Sequence, residues 1–284
     1  MPLSTITSLQ NPRVKEAVKL RDRKGREQQG RILVEGVREI GRALEAGVEI
    51  TEAFVCEPLC SDTPAAKQLA ALRQRKTIFV LSVSEQVMAK LSFGERKEGL
   101  IAIGRPPQKS LDDLAVAKSV KKENAPPLFA VVEGVEKPGN LGAILRTADA
   151  AGVRGLIVAD GGTDLFNPNA IRASLGAIFT VPVCSATSAE TLAWLRRQKL
   201  RIFATRVEAA LPYSDADFAG PAAVVLGSEA RGLSPLWTAN DITPISLPML
   251  GSVDSLNLSA TAAVLFYESL RQRKVAVPSR PNRG

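Results

Sequence analysis

Five apolar residues in a row, Ala222-Ala-Val-Val-Leu226, constrain this chain more than any other stretch. A strand with one face in water alternates apolar and polar side chains. This one does not, so both of its faces must be covered, as in a parallel sheet flanked by helices. Leu128–Glu133 and Gly155–Ala159 also read as strands, as do Thr180–Val183, Arg201–Thr205 and Ile242–Leu247. Helical runs lie between them at Leu141–Ala151, Asn169–Ala177 and Ala189–Gln198, and Ser255–Arg273 reads as a long closing helix. Strands alternating with helices predict an α/β domain built on a parallel sheet.

A smaller α/β unit precedes it. Ile32–Val34, Ala53–Val55, Ile78–Leu81 and Leu100–Ile103 read as strands. Val37–Ala46, Ala65–Gln74 and Ser84–Leu91 read as helices, the first closed by Gly47 and the last opened by its serine. The expected division is a first domain over residues 1–105, a polar and basic linker over 106–127, a second domain over 128–274 and a Pro- and Arg-rich flexible tail over 275–284. Two domains suit a chain of 284 residues.

Composition removes several classes of chemistry. The chain has no histidine, so a Ser-His-Asp triad, a histidine base and a histidine metal ligand are all excluded. Its three cysteines, Cys56, Cys60 and Cys184, are too few for a structural zinc site, and no metal is expected. An odd count of cysteines fits free thiols in a reducing compartment. No apolar run approaches the length of a membrane span, and the first residues do not read as a signal peptide, so a soluble, cytoplasmic protein is expected. The net charge of +8 points to a polyanionic partner, most simply nucleic acid. Aromatic residues make up only 5%, which argues against a row of rings stacking single-stranded bases.

Three stretches of the second domain carry candidate chemistry. Pro138-Gly-Asn-Leu-Gly-Ala-Ile-Leu-Arg-Thr-Ala-Asp149 places Asn140 where a helix cap is expected and Arg146 off the apolar stripe of Leu141, Ile144, Leu145 and Ala148. Leu226-Gly-Ser-Glu-Ala-Arg-Gly-Leu233 follows a buried strand. Ligands of parallel sheets bind at such strand ends, where Gly227 permits close backbone approach and Glu229 can accept hydrogen bonds. In Leu247-Pro-Met-Leu-Gly-Ser-Val-Asp-Ser-Leu-Asn-Leu-Ser259, Leu247 and Leu256 can sandwich a flat apolar group while backbone near Met249 and Gly251 reads its edge. Taken singly, each stretch reads equally as a capped helix or a tight strand-to-helix turn. The glycines match neither G-x-G-x-x-G nor the phosphate-binding G-x-x-x-x-G-K-[ST].

Together and in this order, the three stretches resemble the signature motifs of the SpoU/TrmH family of RNA ribose 2′-O-methyltransferases, of the SPOUT class. The resemblance is close over about residues 128–274 and looser over the first domain. It implies a SPOUT domain with a parallel sheet and a trefoil knot, preceded by a small, ribosomal-protein-like α/β RNA-binding domain. It implies S-adenosylmethionine as cofactor, held by Thr205, Gly227, Leu247, Met249, Leu256 and Leu258. It implies a catalytic set of Asn140, Arg146, Glu229, Ser255 and Asn257, and a homodimer packed through the knot region. Departures from the family pattern are small: Lys137, Ala230 and Leu258 replace commoner residues.

Between Arg13 and Arg31 the chain has eight basic and three acidic residues. Arg13, Lys15, Lys19, Arg21, Arg23, Lys24 and Arg26 are therefore the expected phosphate contacts, and RNA affinity should fall steeply with salt. The leading expectation is a methyltransferase acting on 23S rRNA. A tRNA 2′-O-methyltransferase and a non-catalytic RNA-binding assembly factor are the alternatives, with a nucleotide-dependent oxidoreductase more distant.

Overall fold

The computed structural model describes residues 5–61, 63–94, 98–115 and 125–273. Residues 116–124 of the expected linker, and the tail, lie outside the described residues. Contacts divide the chain into two units. The first comprises residues 1–108, 137–146 and 163–180; the second comprises residues 109–136, 147–162 and 181–284.

The first unit opens with α1 (Pro12–Lys19) and α2 (Arg23–Gln29), then β1 (Ile32–Glu35) and α3 (Val37–Glu45). It continues through β2 (Ile50–Val55), α4 (Thr63–Gln74), β3 (Phe79–Ser82), α5 (Glu85–Leu91) and β4 (Leu100–Gly104). The sheet order is β1-β4-β2-β3; β4 runs antiparallel to both neighbours, and β2 and β3 are parallel. α1 and α5 cover one face. Val14, Ala17 and Leu20 meet Leu33, Phe54, Ile101 and Ile103 from the strands and Val87, Met88 and Leu91 from α5. Ser84 caps α5 by accepting the Val87 N–H, as its position predicts.

The second unit holds β5 (Leu128–Glu133), β6 (Gly155–Ala159), β7 (Val183–Ala186), β8 (Arg201–Thr205), β9 (Ala222–Leu226) and β10 (Ile242–Ile245). All six are parallel, in the order β10-β8-β9-β5-β6-β7. The unalternating run Ala222–Leu226 is the inner strand β9, every residue of it buried. Phe129, Val131, Trp194, Leu195, Val225 and Trp237 are among the side chains of one core of this unit. The turn over Leu111–Leu114 falls in this unit as well, because Leu114 is buried in that core. Among the described residues, no helix is long and apolar enough to cross a membrane.

The structure corrects several boundaries. The helix expected over Asn169–Ala177 is two short helices, α7 (Pro168–Ala173) and α8 (Ala177–Thr180). Leu175 and Gly176 between them adopt positive φ, which no helix continues through. Thr180 thus ends a helix, and β7 starts only at Val183, beyond Pro182. α6 runs from Pro138 to Ala151, so Asn140 lies inside its first turn and is not the cap. Proline is favoured in a first turn because its missing N–H has no helical partner to lose. Residues 137–146 cluster with the first unit, and Gly142 is the reason α7 lies so close to α6. A Cβ there would stand 2.5 Å from the Ala173 Cβ and 2.7 Å from the Ala170 carbonyl oxygen. α9 is Ser188–Arg197, and the closing helix α10 is Leu258–Gln272, not Ser255–Arg273. Its cap is Asn257, whose Oδ1 accepts the Ser259 N–H at 3.0 Å and the Ser259 hydroxyl at 2.6 Å.

Candidate active site

In the second sheet the chain runs outward from β5 through β6 to β7. It then crosses to the other side of β5 and forms β8, β9 and β10. Open parallel sheets bind their ligands at the C-terminal ends of the strands. A cleft lies there, lined by residues that follow β8, β9 and β10 and by the start of α10. Its cavity volume is about 220 Å³, just under the roughly 300–1,000 Å³ range of small-molecule sites, and its mouth opens to solvent.

All six residues expected to hold a cofactor line this cleft: Thr205, Gly227, Leu247, Met249, Leu256 and Leu258. Glu229 and Ser255 line it too. Asn257 does not, but its side-chain N–H donates to Glu229 Oε1 at 2.8 Å, tying the N-terminus of α10 to the loop after β9. Asn140 and Arg146 are not among the lining residues. Both lie on α6, with Arg146 exposed.

The loop after β9 is closed on itself. Ser228 and Gly232 exchange backbone hydrogen bonds at 3.1 and 2.9 Å, and Gly232 adopts φ +63°. The turn leaves no room for a side chain at residue 227. A Cβ there would lie 2.3 Å from the Gly232 carbonyl carbon and 2.6 Å from the Leu233 nitrogen. Thr205 is fixed differently: its hydroxyl donates to the Val225 carbonyl at 3.1 Å.

Behind the loop sits a buried carboxylate that the motifs do not contain. Glu133, the last residue of β5, is 6% exposed. Its Oε1 accepts the Ser188 hydroxyl at 2.6 Å, the Ser234 hydroxyl at 2.8 Å and the Trp237 indole N–H at 2.8 Å. Its Oε2 accepts the Ser234 backbone N–H at 2.7 Å. Burial alone would raise its pKa; the donors outweigh burial and hold the carboxyl below its ordinary value. Ser234 is held from the other side by Arg206, whose Nη2 donates to the Ser234 carbonyl at 3.2 Å. Arg206 lines the cleft, so the carboxylate and the cleft wall share one scaffold. A charged residue ending an otherwise apolar strand was the available signal for Glu133. Nothing in the sequence singled out Arg206, Val207 or Thr261, which also line the cleft, whereas Asp254, another lining residue, stands within the third motif stretch.

The cleft offers a ligand both apolar and polar surface. Ile245, Leu247, Met249, Leu256 and Leu258 supply apolar surface, while Thr205, Ser228, Glu229, Asp254 and Ser255 supply donors and acceptors. Among the described residues, no group of three His, Cys, Asp or Glu side chains is placed to hold a metal ion.

Comparison with known proteins decides the family. The profile of the SpoU rRNA methylase family matches residues 127–267, and that of an MRM3-like substrate-binding domain matches residues 11–102. A 23S rRNA (guanosine-2′-O-)-methyltransferase of Coxiella burnetii is 31% identical over 246 residues, covering 86% of this chain and 97% of the relative. The chain belongs to the SpoU rRNA methylase family. Solved structures agree with this. A crystal structure of an RNA 2′-O ribose methyltransferase is 41% identical with a TM-score of 0.79, covering 95% of this chain and 99% of its own. The SpoU methyltransferase AviRb from Streptomyces viridochromogenes, in complex with the cofactor AdoMet, is 28% identical with a TM-score of 0.81, covering 93% of this chain and 98% of its own. The second unit of this SpoU methylase thus has the SPOUT fold, a class characterised by a trefoil knot.

The basic N-terminal residues of the methylase divide into two groups. Lys15 and Lys24 are exposed. Arg13 is half exposed and lies 3.5 Å from Glu52; Lys19 pairs with Glu16 and Arg23 with Glu27, both at 2.7 Å on the surface. Two of the expected phosphate contacts are structural instead. Arg21 donates to the carbonyls of Lys90 and Ser92, tying α1 to the end of α5. Arg26 is 5% exposed. Its Nε donates to Asp164 at 2.6 Å, and its Nη1 donates to the carbonyls of Leu20 and Arg21 at 2.8 and 2.7 Å. A guanidinium that is buried needs such partners and has no face left for RNA. A basic run read from sequence does not reveal which of its members turn inward.

Proposed function

We propose that this protein is an S-adenosylmethionine-dependent RNA ribose 2′-O-methyltransferase acting on 23S rRNA. One observation carries the reading: the cleft at the ends of β8, β9 and β10 gathers all six expected cofactor residues beside Glu229 and Ser255. The relatives support rRNA over tRNA, and the substrate-binding profile over residues 11–102 supports an extended RNA contact. The exposed cations of the first unit, Arg13, Lys15 and Lys24 among them, supply phosphate contacts. In this reading the protein works in the cytoplasm on ribosomal RNA.

The cofactor, when bound, supplies a methyl group activated by a positively charged sulfur. Leu247 and Leu256 provide apolar walls for its flat base, and the backbone near Gly227 and Met249 reads polar edges. The chain's own residues deal with the ribose hydroxyl, a weak nucleophile whose proton must leave and whose developing charge must be stabilised. With no histidine in the chain, Ser255 and Asn257 orient the hydroxyl and relay its proton to solvent water at the cleft mouth as the methyl group transfers. Glu229 fixes Asn257 through their 2.8 Å hydrogen bond. Arg146 anchors RNA phosphate and stabilises the forming alkoxide, because a guanidinium rarely gives up its proton. Asn140, one and a half turns before Arg146 on α6, completes the set. Exposed Leu250, Val253 and Leu256 in the stretch after β10 support a homodimer packed through this region.

The test incubates purified protein with labelled S-adenosylmethionine and unmodified 23S rRNA, then maps alkali-resistant ribose positions. Transfer to one ribose, lost in Arg146→Ala, is expected. RNA binding without transfer would favour the assembly-factor alternative, and transfer confined to tRNA would favour the tRNA enzyme. Arg146→Lys should lose at least tenfold in kcat, because lysine cannot make the fork-shaped contact. Activity near wild type would refute the anchoring role.

A further inference from the structure

Phe79 is the first residue of β3, the edge strand of the first unit's sheet, and it is 67% exposed. Ile6 pairs with the far end of this strand, giving its N–H to the Ser82 carbonyl at 2.9 Å and taking the Ser84 N–H at 3.0 Å. That bridge does not reach Phe79. In register, Phe79 sits beside Glu52 of the parallel strand β2, and Leu81 beside Phe54. Paired residues of neighbouring strands share a sheet face. Phe79 therefore stands on the face that Phe54 and Leu81 line, at the end that α1 and α5 leave uncovered.

The ring's surroundings are basic. Glu52 beside it is neutralised twice, by Arg31 at 3.1 Å and Arg13 at 3.5 Å. Arg75 and Lys76, exposed in the turn between α4 and β3, lie four and three residues before it in the chain. Two cations thus sit on the carboxylate beside the open aromatic ring, and two more precede the ring in the chain. An exposed aromatic ring among cations matches the chemistry of single-stranded RNA, in which bases stack on rings while phosphates meet arginine and lysine. An apolar protein partner would find no use for the surplus positive charge.

We propose that Phe79 is a stacking platform for one unpaired base of the RNA substrate, with Arg13, Arg31, Arg75 and Lys76 taking the adjoining phosphates. This inference rests on the RNA-methylase reading and adds to it a second, base-contacting site away from the cleft's own residues. It uses one ring rather than a row, in keeping with the low aromatic content.

The experiment measures binding of full-length protein to 23S rRNA transcribed in vitro, over a range of salt, together with KM for RNA and for S-adenosylmethionine. Phe79→Ala and Phe79→Leu should weaken RNA binding about tenfold without changing the salt slope, and Phe79→Trp should keep it. Lys76→Ala should lower the salt slope by about one unit. The KM for S-adenosylmethionine and the melting temperature should stay at wild-type values in all four, since every changed side chain is exposed. Wild-type binding by Phe79→Ala would overturn the proposal. So would wild-type binding by Phe79→Leu, which would mark a plain apolar contact. Wild-type protein that neither binds nor methylates the transcript would overturn the RNA reading itself, and this inference with it.

Discussion

Replacing Glu133 by glutamine exchanges one oxygen for an NH₂ group in a site where every neighbour is a donor. The four donors are the hydroxyls of Ser188 and Ser234, the Trp237 indole and the Ser234 backbone N–H. Glutamine can keep its oxygen toward the three donors at Oε1, which then accept from a neutral group. Its NH₂ must then face the Ser234 N–H, donor against donor. Hydrogen bonds to a charged group contribute roughly 1.5–3 kcal/mol, and a buried donor left unpaired costs about 1–3 kcal/mol. A destabilisation of about 2–4 kcal/mol follows, a fall in Tm of roughly 4–16 °C for a unit of this size. Ser234 is also held by Arg206 and adjoins the loop that lines the cleft, so the KM for S-adenosylmethionine should rise more than the KM for RNA. The pH dependence adds a second readout. The folded-state pKa of Glu133 is depressed, so its stabilisation is present above the ordinary glutamate range, roughly pH 4–4.5, and is lost as pH falls through the lower folded value. Glu133→Gln should lack that part of the acid sensitivity. Melting followed by circular dichroism across pH, with steady-state kinetics at neutral pH, tests both. A variant with wild-type Tm, wild-type acid sensitivity and unchanged KM values would refute the reasoning.

Three further outcomes follow from the same geometry. Gly227→Ala should abolish S-adenosylmethionine binding in calorimetry while RNA binding persists, because the new Cβ meets the backbone of Gly232 and Leu233 rather than a movable side chain. Arg26→Ala should cost about 3–5 kcal/mol in denaturant unfolding by leaving Asp164 without its buried partner, whereas Lys24→Ala should leave stability alone and lower the salt slope of RNA binding by about one. Asn257→Ala should lose about 1 kcal/mol of helix capping as well as the tie to Glu229, whereas Ser255→Ala should keep wild-type stability while lowering kcat, since Ser255 caps nothing.

Much of this protein was legible before any coordinates. Unalternating strands such as Ala222–Leu226 state that both faces are covered, and alternation with helices makes the sheet parallel. Five of the six residues expected to hold a cofactor stand in the motif stretches, Thr205 lying outside them, and their expected role came from the resemblance of those stretches to the family. What the chain order could not reveal were features made by distant partners. α10 starts at Leu258 under an Asn257 cap rather than at Ser255, a boundary settled where the loop finally enters the helix. The break at Leu175 and Gly176 depends on tertiary context, including the Leu175 carbonyl that Arg42 holds at 3.1 Å. Arg26 looks like any other member of a basic run until Asp164, 138 residues away, arrives beside it. Glu133 looks like the end of a strand until Ser188, Ser234 and Trp237 converge on it. Local patterns report periodicity and turn chemistry, which act over a few residues. Burial, and with it the role of each charge, is decided only when segments far apart in sequence close on one another.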